Sequence, residues 1–302
     1  MHVTARIREG LLWALLGVVL FSFSVPLTKV AVGGFDPVVT ATGRAVIASV
    51  IAVLFLAIRR VPSPPRHLWK PILITMLGAV FGWPILLAIA LQSTTSAHTA
   101  VIAAFMPMTT AIFAVVFSHE KVTNSFWLAV AVGTTALVVF SLSRGGLEGG
   151  SLYADLLIVG AVISSSLCYV QGAAVTREMP GWQVISWVVV FSLPVTVPAT
   201  LILWWRTRDS YDTTTTEWAS LILLGVSSMY LGFFAWYRGL AMAGVAYGGQ
   251  VQQLQALLTL LWSALLLGEV VGWGTIAAAV VVVVAVAWAQ RSRAPSFVAP
   301  EE

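Results

Sequence analysis

Long apolar runs dominate this chain. From Gly10 to Gln290, stretches of about 20 residues with almost no charge follow one another, separated by short breaks of charged or turn-forming residues. A run of that length crosses the hydrocarbon core of a bilayer as one helix, and a helix satisfies its own backbone polar groups where no water can. Only 9% of the 302 residues are charged and 59% are hydrophobic, whereas an ordinary soluble domain carries about 25% charge. A water-soluble globule is excluded, and little chain is left for a domain outside the membrane.

The runs and breaks predict ten helices, over residues 10–32, 37–58, 70–91, 96–117, 124–142, 152–174, 183–204, 217–238, 245–267 and 272–290. The stretch after Arg6 and Arg8 is longer than a signal-peptide core and no small-residue cleavage site follows it, so it reads as the first membrane helix. Very short connections at Gly33–Asp36 and Gln92–Thr95 force the helices they join to lie as antiparallel neighbours. Most tryptophans, Trp13, Trp69, Trp127 and Trp182 among them, fall near predicted helix ends, at headgroup level. The net charge of +4 comes without any basic run longer than Arg59–Arg60, which argues against a nucleic-acid partner. Positive-inside bias explains it: Arg6, Arg8, Arg59, Arg60, Arg66 and Lys70, among others, fall on the side of the N-terminus, against Arg144, Arg206 and Arg208 on the other. Both termini are expected to be cytoplasmic. The single cysteine, Cys168, excludes an intrachain disulfide and reads as packing.

Sliding the chain on itself places Glu120 on Glu269, each closing a long apolar helix before a short break, and the same offset pairs Thr110 with Thr259 and Met106 with Gln255. Five helices per half is an odd number, so the second half enters the membrane from the opposite side. The expected fold is an all-α membrane protein of ten transmembrane helices in two inverted five-helix repeats around a central cavity. Residues 10–142 form the first repeat, 143–151 a glycine-rich linker, 152–290 the second repeat and 291–302 a cytoplasmic tail.

Several stretches resemble the EamA-type branch of the drug/metabolite transporter superfamily. They are Trp13 to Lys29 in the first helix, Gly43-Arg44-Ala45 early in the second, Pro107 to Glu120, and Leu254 through Ser263-Ala264-Leu265-Leu266-Leu267-Gly268 to Glu269. The resemblance implies a cavity open to one side at a time, peripheral fifth and tenth helices, a monomer that can suffice and a home in the bacterial cytoplasmic membrane. Ala256 departs from the pattern, standing where the family often has proline, the counterpart of Pro107.

Ionisable and strongly polar groups inside membrane helices are functional candidates by default. Arg44 lies about seven residues, or roughly 10 Å, into its helix; it could meet a carboxylate with two hydrogen bonds, snorkel to the headgroups, or pair with Asp36. Lys29 is made an inward-facing residue by the family pattern, with snorkelling as the alternative. His98 opens the fourth helix as a proton-coupling candidate or as a surface histidine. Together these three would make the outer half of the cavity electropositive, which favours anionic or zwitterionic cargo. Gln250, Gln252, Gln253 and Gln255 place four amides close together in the ninth helix; Gln255 lies roughly 14 Å deep, and either cargo or interhelical hydrogen bonding could use Gln252 and Gln255. Tyr230, Phe233, Phe234 and Tyr237 recur at the spacing of one helical face, suited to stacking cargo or to bundle packing. Ser22 and Ser24 set hydroxyls beside Pro26 near the middle of the first helix. Glu120 and Glu269 read as structural caps of the breaks that follow them, alongside Pro107.

The leading function is a secondary transporter that exports small metabolites, amino acids or related zwitterionic or anionic compounds, by alternating access, with protons the leading coupling ion and facilitated diffusion or exchange the alternatives. Efflux of amphiphilic drugs and import of a small metabolite are the alternatives. The sequence contains no GxxxxGK[ST] motif for a nucleotide, and no HExxH or GxSxG for intramembrane catalysis. No cofactor is expected. The partners are a small-molecule substrate and the lipid bilayer.

Overall fold

The computed structural model describes residues 2–118, 123–144, 151–243 and 251–292, and among these residues all regular structure is helical. In chain order the α-helices are α1 (His2–Ser22), α2 (Ser24–Gly34), α3 (Pro37–Ile58), α4 (Trp69–Met76), α5 (Trp83–Ala90), α6 (Ser96–Ala103), α7 (Met106–Ser118), α8 (Asn124–Arg144), α9 (Leu152–Val175), α10 (Gly181–Thr207), α11 (Thr215–Leu223), α12 (Gly232–Ala243), α13 (Leu254–Leu267) and α14 (Trp273–Arg291). Joined end to end they make seven segments long and apolar enough to cross a membrane: Arg6–Gly34, Pro37–Ile58, Arg66–Ala90, Ser96–Phe117, Leu152–Val175, Gly181–Ser210 and Thr215–Ala243. Helix α8 and the shorter apolar helices Leu254–Leu267 and Trp273–Trp288 accompany them.

The helix starts follow from local chemistry. Asp36 caps α3 by accepting from Val38 N at 2.8 Å and Val39 N at 3.3 Å, with Pro37 in the first turn where its missing N–H is harmless. Asp36 is therefore a cap and makes no pair with Arg44. Ser151 caps α9 through Ala154 N, and Thr214 with Glu217 builds a capping box on α11. Gly268 ends α13 in the left-handed conformation at φ 64°.

Four membrane-crossing segments are distorted partway along. Phe23 separates α1 from α2, and Ala104–Phe105 separates α6 from α7. Segments Leu77–Gly82 and Leu224–Leu231 are π-helical, widening the turn inside α4–α5 and α11–α12. The turn at Gln253, just before α13, falls on Ala104 under the offset that carries Glu120 onto Glu269, and Leu77–Gly82 falls within Leu224–Leu231. The distortion ahead of α13 is thus present although Ala256 replaces the proline.

Packing is pairwise. α1 lies along α12, α4 and α5 lie along α9, α3 lies along α10, and α8 lies along α14. Backbones come close where side chains are small: a Cβ built on Gly239 would sit 2.5 Å from Ala14 N, and one on Gly17 would sit 2.9 Å from Trp236 N. The hydroxyls of Thr28, Thr42, Ser49 and Thr75 donate to the carbonyl four residues back, so they add no unsatisfied group.

Gly239→Ala is expected to destabilise the protein by about 1–3 kcal/mol through overpacking, despite the gain in helix propensity. Gly33→Ala, inside α2 with nothing within 4 Å of the added Cβ, is expected to leave stability unchanged or raise it by up to about 1 kcal/mol. Thermal unfolding in detergent checks both, and an unaltered Tm for Gly239→Ala would contradict the close α1–α12 contact.

Candidate functional site

Arg44 is the anchor of the site. It projects from the second turn of α3 and is 2% exposed, so it neither snorkels nor meets Asp36. Its Nη2 donates to Ser228 Oγ at 2.6 Å and its Nη1 to Ser24 Oγ at 3.3 Å, while Nε is buried without a partner. Among the described residues no carboxylate lies within salt-bridge distance of it. Both serines come from distorted segments, Ser24 from the restart of the helix after Phe23 and Ser228 from the π-helical stretch.

A cavity of ≈ 20 Å³ opens beside this cluster, walled by Phe21, Trp83, Tyr169 and Phe233. A second, of ≈ 10 Å³, is lined by Met106, Pro107, Gln252 and Thr259, and Gln255 borders both. Gln252 Nε2 donates to Met106 Sδ at 3.3 Å, which leaves its Oε1 unpartnered; Gln255 Oε1 is likewise buried without a donor. Pro107 has no N–H, so the carbonyl of Ala103, also on this wall, loses its usual intrahelical donor. The site thus presents a guanidinium edge on one side and acceptor oxygens on the other. A planar guanidinium grips a carboxylate with two parallel bonds, and amide oxygens receive N–H or O–H donors. Each cavity has room for about one water, whereas small-molecule sites measure roughly 300 Å³ or more. Neither cavity has room for a molecule of that size as the helices stand.

The remaining candidates lie elsewhere. Lys29 Nζ donates to Leu91 O at 2.6 Å and Thr94 O at 2.8 Å. Glu269 accepts from Ser96 N at 2.9 Å and Ala97 N at 2.8 Å, so it caps α6 rather than the break that follows Glu269 itself. His98, expected at a surface or in a proton path, is buried with Nε2 2.7 Å from Asp155 Oδ1. Ser22 binds α1 to α13, accepting from Trp262 Nε1 at 2.9 Å on its hydroxyl and from Thr259 Oγ1 at 3.1 Å on its carbonyl. Glu120 and Gln250 lie outside the described residues.

The aromatic stripe is divided. Because Tyr230 sits in the π-helical segment, the simple helical spacing does not hold across it. Tyr230 bonds Ser186 at 2.8 Å, Tyr237 donates to Cys168 O at 3.3 Å, and Phe234 packs on Trp13 with ring centroids 6.1 Å apart. Of the four aromatics, Phe233 lines the cavity. Sequence reasoning missed Phe21, Trp83 and Tyr169, which carry no mark among so many apolar residues. Ser165 and Ser228 do leave a signal, being members of the mid-helix serine runs Ser164–Ser166 and Ser227–Ser228. Among the described residues no group of three His, Cys, Asp or Glu could hold a metal ion.

Comparison with known proteins agrees with this architecture. The chain is 38% identical over 287 residues to "Uncharacterized transporter YdeK" of Bacillus subtilis (strain 168), covering 95% of this chain and 98% of that one. It is 21% identical over 242 residues to "Uncharacterized transporter YetK" of the same organism, covering 77% and 72%. A solved structure described as "Crystal structure of protein" shares the fold with a TM-score of 0.66 at 17% identity, covering 93% of this chain and 96% of that one. The family model described as "EamA-like transporter family" matches twice, at residues 8–142 and 152–290. A helical membrane bundle with a polar pocket at its centre and this double match leads to one assignment: the chain belongs to the EamA-like transporter family, within the drug/metabolite transporter superfamily.

Proposed function

We propose that the protein exports small carboxylate-bearing metabolites, amino acids or related zwitterionic or anionic compounds, by alternating access. The observation that carries this reading is the buried guanidinium of Arg44, with an unpartnered Nε and, among the described residues, no counter-carboxylate, beside a cavity in a membrane bundle. A charge so placed is expensive and marks a cargo path. The carboxylate goes to Arg44, and the acceptor oxygens of Gln252 and Gln255 take a donor group of the cargo. Efflux of amphiphilic drugs is the weaker reading, since it needs Arg44 at the lipid headgroups.

Alternating access fits two inverted five-helix halves and ten crossings. In support, the helix pairs exchange under the repeat: α1 with α12 corresponds to α9 with α4–α5, while α3 with α10 and α8 with α14 map onto themselves. The π-helical segments and the breaks at Ala104 and Gln253 correspond in the same way. The protein works as a monomer in a bacterial cytoplasmic membrane with both termini inside, where the Lys and Arg residues concentrate. The His98–Asp155 pair is the proton carrier, its two side chains only 7% and 6% exposed.

Arg44→Ala is expected to reduce flux of a carboxylate cargo by about 10- to 100-fold, the worth of one or two charge-assisted hydrogen bonds. Arg44→Lys is expected not to restore it, because an ammonium lacks the planar fork. Profiling the medium of expressing cells at matched membrane abundance, then measuring flux in liposomes, checks this; full flux in a folded Arg44→Ala protein removes Arg44 from the site. Gln255→Ala is expected to raise KM about 3- to 10-fold without changing abundance, and a change in abundance alone assigns Gln255 to packing. His98→Gln is expected to abolish the acceleration of flux by an imposed proton gradient while cargo exchange persists. Gradient-driven flux in that variant would rule out proton carriage by His98.

A further inference from the structure

The small size of the cavities at Arg44 and Gln255 raises the question of which end of the bundle is held shut, and by what. At the end where α5 passes into α6, the turn between them exposes carbonyls that have run out of helix and N–H groups that have not yet entered one. The carbonyl end of a helix carries partial negative charge and the N–H end partial positive charge. Two side chains of matching sign meet these groups. Lys29, on α2, donates to Leu91 O and Thr94 O at 2.6 and 2.8 Å. Glu269, just beyond α13, accepts from Ser96 N and Ala97 N at 2.9 and 2.8 Å. The two charges also attract each other, and Ser263 Oγ donates to Ser96 Oγ at 2.7 Å beneath them.

Lys29 belongs to the first family match and Glu269 to the second, so the turn is gripped from both halves. We propose that Lys29 and Glu269 form a latch that holds this end of the bundle closed over the cavity, and that their four hydrogen bonds break together when the end opens. At the opposite end, the described cross-half pairs are exposed and weakly coupled to stability. His67 and Glu178 have side chains 62% and 54% exposed, and Arg238 and Glu9 are 49% and 54% exposed with 3.7 Å between their charged atoms. The latched end is the more firmly closed of the two.

The latch rests on the transport reading, but its test needs no cargo, so the two can fail separately. A cysteine is placed at Val25, which is 1% exposed and lines the smaller cavity, in a Cys168→Ala background. The purified protein in liposomes is labelled with a membrane-impermeant maleimide from each face. Glu269→Gln and Lys29→Met are each expected to raise labelling from the Glu269 face about tenfold, equivalent to about 1.4 kcal/mol, with no rise from the other face. Labelling at the parent rate in folded variants, or a rise from the opposite face, overturns the latch. Should neither variant fold, Ser96→Cys with Ser263→Cys tests the same motion, since the two hydroxyls already touch. Their disulfide is expected to cut labelling from that face at least tenfold, reversibly on reduction; unchanged labelling of the cross-linked protein overturns the proposal.

Discussion

Every backbone N–H and C=O inside a bilayer must find its partner within the protein, and the structure is organised by that requirement. Regular helix meets it along most of each membrane-crossing segment. Departures from regular helix are tolerated only where the freed groups face protein or a polar cavity, and here they gather at one place. The restart after Phe23 supplies Ser24 to the cavity, the first π-helical segment supplies Ala79, the break before Met106 supplies Ala104, the second π-helical segment supplies Ser228, and the turn at Gln253 adjoins Gln252. The polar centre of the bundle and the irregular backbone of the bundle are the same region.

The charged groups within the bundle divide according to how they are compensated. Lys29 meets two helix-end carbonyls, Glu269 meets two helix-start amides, and His98 meets Asp155. Arg44 meets two serine hydroxyls and leaves its Nε without a partner. Neutral hydroxyls do not offset a buried charge as a carboxylate would, so this residue is the group an anionic ligand would relieve most. The same contrast separates Lys29 and Glu269, which hold the bundle together, from the residue that receives cargo in the proposed function.

Part of this arrangement was legible in the chain. An arginine some turns inside an apolar helix is conspicuous, and so are amides at Gln252 and Gln255; Met106 and Pro107 followed from the repeat offset and the proline. The aromatic wall was not legible, because Phe21, Trp83 and Tyr169 look like any other large apolar residue. Of the two readings of the stripe from Tyr230 to Tyr237, bundle packing describes Tyr230, Phe234 and Tyr237, and the π-helical turn at Tyr230 changes the angular step per residue, so the i, i+3, i+4, i+7 spacing does not carry across it. Asp155 lies in the first turn of α9, and its pairing with His98 joins groups 57 positions apart.

The sequence by itself determined that the chain is helical, lies in a membrane and belongs to a duplicated transporter family, because length, apolarity and repeated motifs are properties of the chain in order. Tertiary structure alone decided which of those apolar faces meet lipid and which meet the cavity, and which ionisable groups find partners. The physical reason is that lipid tails and leucine side chains are equally apolar, so hydrophobicity records that a helix is out of water without recording what lies against it. Contacts such as Arg44 with Ser228, Glu269 with Ser96 and His98 with Asp155 come into being only when distant segments pack.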